Sequence, residues 1–271
     1  MSPTADDTGL LRRLHEALAG YLAVGHVTDE SRGVLFVRSE TLPDVYDANF
    51  AYALGAVGAG EVDWLLAEMD QRFGGQRHRK IHAGTGLTPD GEARLVVEGF
   101  GPDDGVELLL EGELEATPPP IDIRRAADDE DWAVIGRLTR LDHEEQAVRE
   151  QRAPYRPEVT DQLVATRRAK EPALRTWMAR ADGVDCGCFS SWPGENGIGK
   201  VEDLFTHPDF RRRGIGTALI DRAVRDARAR GAESVVIGAR PDDWPKRLYA
   251  RLGFRPVCVS RGYLRRAEPA G

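Results

Sequence analysis

A strand that leads directly into a glycine-rich helix start constrains this chain more than any other feature. Residues 200–217 read KVEDLFTHPDFRRRGIGT: Val201–Thr206 is typical of a strand, and Gly214-Ile215-Gly216 opens an amphipathic helix. Glycines let a ligand approach the backbone, and the first N–H groups and the dipole of a helix attract anions. With Arg211–Arg213 beside it, the segment predicts a phosphate-binding strand–turn–helix unit.

The spacing of the glycines excludes two common phosphate loops. A dinucleotide fingerprint needs G-x-G-x-x-G, and a nucleoside triphosphate loop needs G-x-x-x-x-G-K-[ST]. Neither pattern occurs here. The run Arg211-x-x-Gly214-x-Gly216 instead resembles the R/Q-x-x-G-x-G/A signature of the GNAT superfamily of N-acetyltransferases, whose loop holds the pyrophosphate of coenzyme A.

Other segments follow the order of that superfamily. Ile121–Ala126 resembles its first strand, Asp182-Gly183 predicts a hairpin turn, and Leu248–Phe254 (LYARLGF) resembles its LY-x-x-L/x-GF segment. The resemblance covers residues 121–266. It implies an α/β (α+β) fold with a mixed, mainly antiparallel sheet and helices on both faces.

A proline run divides the chain. Thr117-Pro118-Pro119-Pro120 predicts a short stiff linker, because prolines continue neither a helix nor a central strand. Residues 1–120 hold 9 Lys/Arg and 21 Asp/Glu, which gives −12, and residues 121–271 hold 28 and 24, which gives +4. We therefore predict a domain at 1–116, a linker at 117–120 and a catalytic domain at 121–271.

The first half resembles a shortened and diverged copy of the second. A helix at 61–73, a strand at 78–82 and a Gly99-Phe100 pair followed by a strand at 106–110 repeat the order of elements around Gly253-Phe254. Such a tandem is similar to the mycothiol synthase type. The glycine-rich segment Gly55–Gly60 carries no arginine, so we interpret it as a flexible connection and expect no chemistry from this half.

The resemblance implies acetyl-coenzyme A as co-substrate and no metal. The backbone of the site strand would pair with the pantetheine arm beside a splay in the sheet, and the helix start would hold the pyrophosphate. The implied coenzyme-binding residues are Leu204, Phe205, Thr206, Arg211, Arg212, Arg213, Gly214, Ile215, Gly216 and Thr217.

Three side chains are candidates for catalysis. By resemblance, Tyr249 is the general acid that protonates the leaving thiolate, and the alternative is a packed aromatic ring. Glu202 and Asp203 are adjacent on a strand, so only one can face the acetyl group. Glu202, on the face of Leu204 and Thr206, ranks first as base; a β-bulge would exchange the faces, and an ion pair with Lys200 or Arg211 is the alternative for either.

We interpret the chain as an N-acetyltransferase that acts by direct attack of a small-molecule primary amine on acetyl-coenzyme A. A cysteinyl-sugar amine acceptor, or an acyl-coenzyme A sensor without turnover, is the alternative. The acidic stretch with Asp142, Glu144, Glu145 and Glu150 suits a cationic acceptor or is a solvated helix end, and His143 is expected on the surface.

Composition excludes other partners and suggests a compartment. An overall charge of −8 argues against nucleic acid, and the sequence has no apolar run long enough for a membrane span and no signal peptide pattern at its start. Three cysteines suit the reducing cytoplasm, where we expect the protein. A homodimer is left open.

Overall fold

Two β-sheets covered by helices organise the chain. The computed structural model describes residues 5–241 and 245–266. In this part of the chain, one compact unit holds the residues up to Glu107 and those from Val257 onward, and the other holds Leu108–Gly238 and the stretch ending at Pro256. Every helix between residues 5 and 266 that the structure describes lacks the length and apolar character of a membrane span.

Both halves of the sequence contain helices and strands. The first half contains α1 (Ala5–Ala23), β1 (Val27–Ser31), β2 (Val34–Arg38), β3 (Phe50–Ala53), α2 (Ala59–Phe73), β4 (His78–His82), α3 (Pro89–Val97), β5 (Gly101–Pro102) and β6 (Gly105–Leu110). The second half contains β7 (Asp122–Arg125), α4 (Asp129–Arg149), α5 (Pro157–Ala169), β8 (Arg175–Ala181), β9 (Val184–Trp192), β10 (Ile198–Thr206), α6 (Ile215–Ala229), β11 (Ser234–Ala239), α7 (Pro245–Arg251), β12 (Arg255–Ser260) and β13 (Gly262–Arg266).

The two sheets repeat one arrangement. The six-stranded sheet has the order β1-β2-β3-β4-β13-β5, and the seven-stranded sheet has the order β12-β6-β11-β10-β9-β8-β7. In each, an antiparallel hairpin (β2–β3 or β9–β10) continues through a helix into a parallel strand, β4 or β11. This internal repeat, together with the mixed sheets, agrees with the predicted fold class and with a tandem of related halves.

Each half of the sequence supplies one strand to the other sheet. β13 lies between β4 and β5 in the six-stranded sheet, with Gly262 opposite His82 and Arg266 opposite His78. β6 comes from the first half but lies between β11 and β12 in the seven-stranded sheet. In this repeat, β6 therefore corresponds to β13, and the short β5, which directly follows Gly99-Phe100, corresponds to β12.

The predicted apolar face of α2 packs on the six-stranded sheet. Val62, Leu65 and Met69 are fully buried and join one cluster with Phe36 and Ile81. Each such side chain contributes about 1.5–3 kcal/mol by leaving water. The cluster therefore anchors the helix that connects β3 to β4.

The seven-stranded sheet carries helices on both faces. On one face, Ile135 and Leu138 of α4 form a cluster with Cys188 of β9 and Phe205 of β10. On the other face, α6 packs close to Gly187, where an added Cβ would lie 3.1 Å from Leu219 Cδ1. Neighbouring residues of a strand project to opposite sides, so β9 and β10 separate α4 from α6.

The predicted apolar face of α6 is confirmed. Its core-facing residues are at most 4% exposed: Ala218, Leu219, Ala223, Val224 and Ala227. The predicted hairpin turn also has the backbone that Asp-Gly favours, with φ of 51° at Asp182 and 78° at Gly183.

The structure differs from the sequence-based prediction at several boundaries. The sequence predicts a helix at about 129–141, but α4 continues to Arg149, because good helix formers follow. The sequence does not predict β1, since VTDES lacks an apolar alternation and its side chains are mostly exposed. The sequence predicts a last helix from Trp244 to Leu252, and Trp244 lies outside the described residues.

The predicted domains 1–116 and 121–271 differ from the compact units by the exchanged strands. β13 belongs with the first unit, although the prediction placed it in the catalytic domain. β13 follows β12 closely in the sequence but pairs with β4 and β5. The ends 1–4 and 267–271 of the predicted domains lie outside the described residues.

A chain that ends after Ser260 should lose the stability of the six-stranded sheet, because it removes β13 from between β4 and β5. Tyr263 is only 8% exposed, so its loss alone should cost about 3 kcal/mol or more. Urea unfolding measures the effect, with a chain that ends after Arg266 as the matched control. Equal midpoints for the two chains would contradict the strand exchange.

Candidate functional site

A β-bulge interrupts β10 at the two predicted carboxylates. Glu202 lies opposite Ser190 and Phe205 lies opposite Cys188, so three steps on β10 match two on β9. Asp203 has a left-handed φ of 65°, which is uncommon for a residue other than glycine. Such a bulge bends the strand and re-aims its side chains.

The bulge changes which side chains share a face. Strict alternation predicts Glu202 beside Leu204 and Thr206, and Asp203 beside Phe205. In the structure Glu202 and Phe205 are on the same face, because their partners on β9 are two residues apart. The bulge that the sequence analysis kept as an alternative is therefore present.

The parallel pairing of β10 with β11 ends early. In the described residues it runs from Ile198 opposite Ser234 to Val201 opposite Ile237, although β10 continues to Thr206. The two strands separate beyond this point, so Leu204–Thr206 no longer pair with β11, and the carbonyl oxygen of Thr206 accepts from Arg211 Nε at 2.9 Å. Sequence reasoning assigned the pantetheine arm to these residues.

The part of β10 that has separated from β11 leads to an uncapped helix start. α6 begins after Gly214, which has φ of 79°, and its start has neither a side-chain cap nor an acidic residue in the first turn. The N–H of Ala218 donates to the carbonyl oxygen of Gly214 at 3.0 Å. The N–H groups of Ile215, Gly216 and Thr217 precede that bond and have no acceptor in the helix. This terminus attracts an anion.

The three arginines before α6 differ in their partners. Arg211 contacts Glu145 of α4, and Arg213 Nη1 lies 2.7 Å from Asp182 Oδ2. Arg212 is exposed with φ of 63°, and it forms no ion pair with any residue that the structure describes. Arg212 is therefore the guanidinium of the loop that an incoming phosphate can engage without breaking an ion pair.

The two glycines of the loop have different surroundings. A Cβ added to Gly214 would lie 2.5 Å from Pro119 Cγ, so the proline linker covers this residue. A Cβ added to Gly216 would lie 3.9 Å from Leu204, Thr206 and Leu248, which is ordinary contact. Gly216 therefore marks the place where the separated end of β10, the start of α6 and helix α7 meet.

Tyr249 follows Leu248 on α7 and is buried. It is 5% exposed on α7, and its ring centroid is 6.2 Å from that of Phe254. The N–H of Phe254 donates to the carbonyl oxygen of Tyr249 at 3.1 Å, which ties the helix to the Gly-Phe segment. Its role as general acid stays a prediction.

Both predicted base candidates are held by cations. Glu202 Oε2 lies 2.7 Å from Lys200 Nζ, the partner that the sequence analysis named as an alternative. Asp203 Oδ2 lies 2.9 Å from Arg167 Nε of α5 rather than from Lys200 or Arg211. Neither role as base is decided by these ion pairs. Among the residues described, no cluster of three or more His, Cys, Asp or Glu is arranged to hold a metal ion.

A third carboxylate, Asp142 of α4, approaches the bulge from the helix layer. Gln146 Nε2 donates to Asp142 Oδ2 at 2.7 Å. Burial raises the pKa of Asp142 to about 6; Arg149 opposes this shift, and Asp203 adds to it. The sequence analysis placed Asp142 in an acidic stretch that suits a cationic acceptor or is a solvated helix end, and its position four residues after the buried Leu138 was the signal for an inward orientation.

His143 lies in the interior instead of on the surface. It is 9% exposed, and its Nδ1 lies 2.9 Å from Thr160 Oγ1 of α5. Burial, followed by the charge of Arg167, lowers the pKa of His143 to about 4. The expectation of a surface histidine was wrong because α5 packs over this part of α4, which a single sequence does not reveal.

The corresponding helix start in the first half is already neutralised. The N–H of Gly58 donates to Glu61 Oε2 at 2.9 Å, and the N–H of Ala59 donates to Asp90 Oδ2 at 3.0 Å. Two carboxylates therefore occupy the donors and the positive dipole end of α2. The glycine-rich segment without arginine led us to expect no chemistry from this half, and these caps make the start of α2 a weaker anion site than the start of α6.

The strand edge in the first half is also closed. β3 pairs with β4 up to Tyr52 and His82, and the chain after β4 then folds back. The N–H of Gly86 donates to the carbonyl oxygen of Ala53 at 3.1 Å, and the N–H of Val57 donates to that of Gly86 at 2.9 Å. The backbone groups next to this splay are thus satisfied within the chain.

Known proteins share this second half in sequence. Residues 138–254 match the Acetyltransferase (GNAT) family. An uncharacterized N-acetyltransferase of Methanocaldococcus jannaschii is 37% identical over 82 residues, which cover 30% of this chain and 36% of that protein. The mycothiol acetyltransferase of Beutenbergia cavernae is 33% identical over 96 residues, which cover 34% of this chain and 32% of that protein. The chain thus matches about a third of each relative.

Solved structures share the fold over most of the chain. A GNAT N-acetyltransferase from Kribbella flavida has a TM-score of 0.70 at 20% identity and covers 97% of this chain and 96% of its own. A tandem GNAT protein from the clavulanic acid biosynthesis pathway has a TM-score of 0.53 at 18% identity and covers 77% and 70%. These likenesses support the fold and the tandem arrangement.

Alanine at Gly214 and at Gly216 should have opposite effects on stability. Gly214→Ala forces a side chain into a left-handed backbone and against Pro119, so the free energy of unfolding should fall by about 1–2 kcal/mol or more. Gly216→Ala fits the helix and should raise it by up to about 1 kcal/mol. Urea unfolding of both variants checks this, and a stabilised Gly214→Ala would show that the loop geometry is different.

Proposed function

We propose, on the premise that residues 138–254 form a GNAT acetyltransferase domain, that the protein transfers the acetyl group of acetyl-coenzyme A to the primary amine of a small molecule. The observation that carries the proposal is the separation of β10 from β11 next to the uncapped start of α6. An extended, polar arm that ends in a pyrophosphate fits this arrangement, because the arm can pair with the backbone of β10 and the pyrophosphate can accept from the N–H groups at the start of α6. Coenzyme A has that form.

The coenzyme-binding residues would act in two groups. The backbone of Leu204, Phe205 and Thr206 would pair with the pantetheine amides, as a further strand pairs with a sheet edge. The N–H groups of Arg211–Thr217 would surround the pyrophosphate, and the exposed Arg212 would add a charge-assisted hydrogen bond. The first half would contribute no second coenzyme site, since Glu61 and Asp90 cap its helix.

The thioester supplies the driving force for the transfer, so the protein must position two reactants and move protons. The deprotonated amine would attack the thioester carbonyl carbon, and the C–S bond would break as the amide forms. Tyr249, on the helix that meets the loop at Gly216, would donate a proton to the leaving thiolate. A carboxylate near the bulge would remove the proton of the ammonium.

The surroundings of the bulge favour a cationic acceptor. Asp142, Glu202 and Asp203 lie in or beside the region where the thioester would end; Glu202 and Asp203 pair with Lys200 and Arg167, and Asp142 accepts from the neutral amide of Gln146. A carboxylate that is hydrogen-bonded to a neutral group keeps negative charge with which to attract an ammonium. Glu144, another acidic residue of the stretch that includes Asp142, is exposed.

A cysteinyl-sugar amine is the second acceptor to test. The similarity to the mycothiol acetyltransferase of Beutenbergia cavernae and the tandem arrangement favour including it. A panel of amines that contains this compound, assayed by thiol release, separates a general amine acceptor from this specific one. Coenzyme binding without thiol release for the whole panel would indicate a sensor.

Arg212→Ala should weaken coenzyme binding without changing the fold. Loss of one charge-assisted contact should raise the Kd for acetyl-coenzyme A roughly 3- to 30-fold, and the effect should shrink at high salt. Isothermal titration calorimetry measures it and should also return one site per wild-type chain.

Arg225→Ala is the matched control, since Arg225 lies on the exposed side of the same helix and pairs with Asp221 at 3.0 Å. Its Kd should stay at the wild-type value. An unchanged Kd in Arg212→Ala, or two sites per chain, would contradict the proposed position of the coenzyme.

Tyr249→Phe should lower kcat while preserving coenzyme affinity. The change keeps the buried ring and deletes only the hydroxyl group, so packing against Phe254 remains. Loss of a general acid typically costs roughly 100- to 10,000-fold in rate. Steady-state thiol release at saturating amine measures it.

The control for this variant is the Kd for acetyl-coenzyme A, which should equal that of the wild type. An unchanged kcat, with product release shown by pre-steady-state kinetics to be faster than chemistry, would make Tyr249 a packing residue. A large rise in Kd would point instead to a hydrogen bond with the coenzyme.

A further inference from the structure

Helix α4 brings a carboxylate, that of Asp142, towards the bulge in β10. This group is additional to the carboxylates of Glu202 and Asp203 on the strand itself. Ile135 and Leu138 of α4 pack on Cys188 and Phe205, next to the bulge. Asp142 is one helical turn after Leu138, on the same side of α4. It is half-buried, and its charge interacts with that of Asp203 across the helix–strand contact.

Each of the two strand carboxylates already has a cationic partner. Lys200 is 5% exposed and lies 2.7 Å from Glu202, and Arg167 is 8% exposed and lies 2.9 Å from Asp203. Both carboxylates are therefore engaged in ion pairs with buried cations before an acceptor binds.

Asp142 has a different environment. Its hydrogen bond with Gln146 comes from a neutral amide, and the charge of Arg149 opposes the effect of burial without cancelling it. The charged and titratable groups that face it come from its own helix and from the three elements packed on it: Glu145, Arg149, Arg167, Cys188 and Asp203. Burial is the largest influence on its pKa and raises it to about 6.

We propose that Asp142 is the general base that removes the proton from the acceptor ammonium at the β10 bulge. This inference rests on the proposed function. Asp203 and Glu202 would hold the ammonium by charge, and Asp142 would accept one of its three protons. A base whose pKa lies near the working pH accepts a proton without holding it too tightly.

The step balances as follows. The ammonium gives one proton to Asp142, and the nitrogen lone pair forms the C–N bond with the thioester carbonyl carbon. The C–S bond breaks, and its electron pair leaves with sulfur. A second proton from nitrogen replaces the one that Tyr249 gives to the thiolate. Asp142 then releases its proton to water, so one proton is liberated per acetyl group transferred.

The pH profile of kcat tests this assignment. For the wild type, kcat should rise tenfold per pH unit below about 6 and level off above it, because Asp142 must be ionised. Asp142→Asn should lose roughly 100- to 10,000-fold at pH 7 and should no longer show that limb. Glu144→Gln, an exposed neighbour on the same helix, is the matched control and should keep the wild-type profile.

A second measurement does not depend on activity. The folded state raises the pKa of Asp142, so stability falls as the pH rises from about 4, where the unfolded chain ionises, to about 6; above this value the cost is complete, and below about pH 4 it is absent. Asp142→Asn removes the charge and should melt at a higher temperature than the wild type at pH 8. The two melting temperatures should converge near pH 4.

The outcomes are distinct. If Asp142→Asn keeps the acid limb while Asp203→Asn or Glu202→Gln loses it, the base is on the strand and the assignment to Asp142 is overturned. If Asp142→Asn melts no higher than the wild type at pH 8, the half-buried carboxylate that the proposal needs is not there. A wild type that binds coenzyme but releases no thiol with any amine overturns the proposed function itself.

Discussion

Every backbone donor and acceptor in a folded chain needs a partner, and at the candidate site the separation of β10 from β11 and the uncapped start of α6 leave room for a ligand to supply some of them. The bulge at Asp203 diverts β10, so that its pairing with β11 ends at Val201. After β10 ends at Thr206, the chain enters a turn and then a helix whose first N–H groups lack a side-chain cap. A ligand that completes both sets of hydrogen bonds must be extended at one end and anionic at the other.

The two halves differ at the helix start and strand edge by only a few hydrogen bonds. Both have a hairpin, a connecting helix and a parallel strand in the same order. In the first half, Glu61 and Asp90 take the helix donors, and Gly86 takes the strand acceptor at Ala53. The difference lies in a few side chains and one loop, while the sheet that supports them is retained.

Much of this could be predicted from the sequence, because local patterns determine it. The glycines and arginines of 211–216, the apolar face of α6 and the Asp182-Gly183 turn are all short-range signals. Strand exchange and the burial of His143 depend on contacts between distant parts of the chain, which a single sequence does not encode in any local period. The bulge lies between these cases: the adjacent acids pointed to it, but only the register with β9 placed Asp203 in a left-handed backbone.

The position of β13 has a consequence for the order in which the protein is made. Synthesis proceeds from the N-terminus, and β4 emerges long before the strand that will lie beside it. Until then the edge of β4 is exposed to any other strand in its surroundings, including the same edge of a second nascent chain. A strand that is synthesised about 180 residues after β4 therefore closes the first sheet, and a product truncated before β13 would carry an open edge.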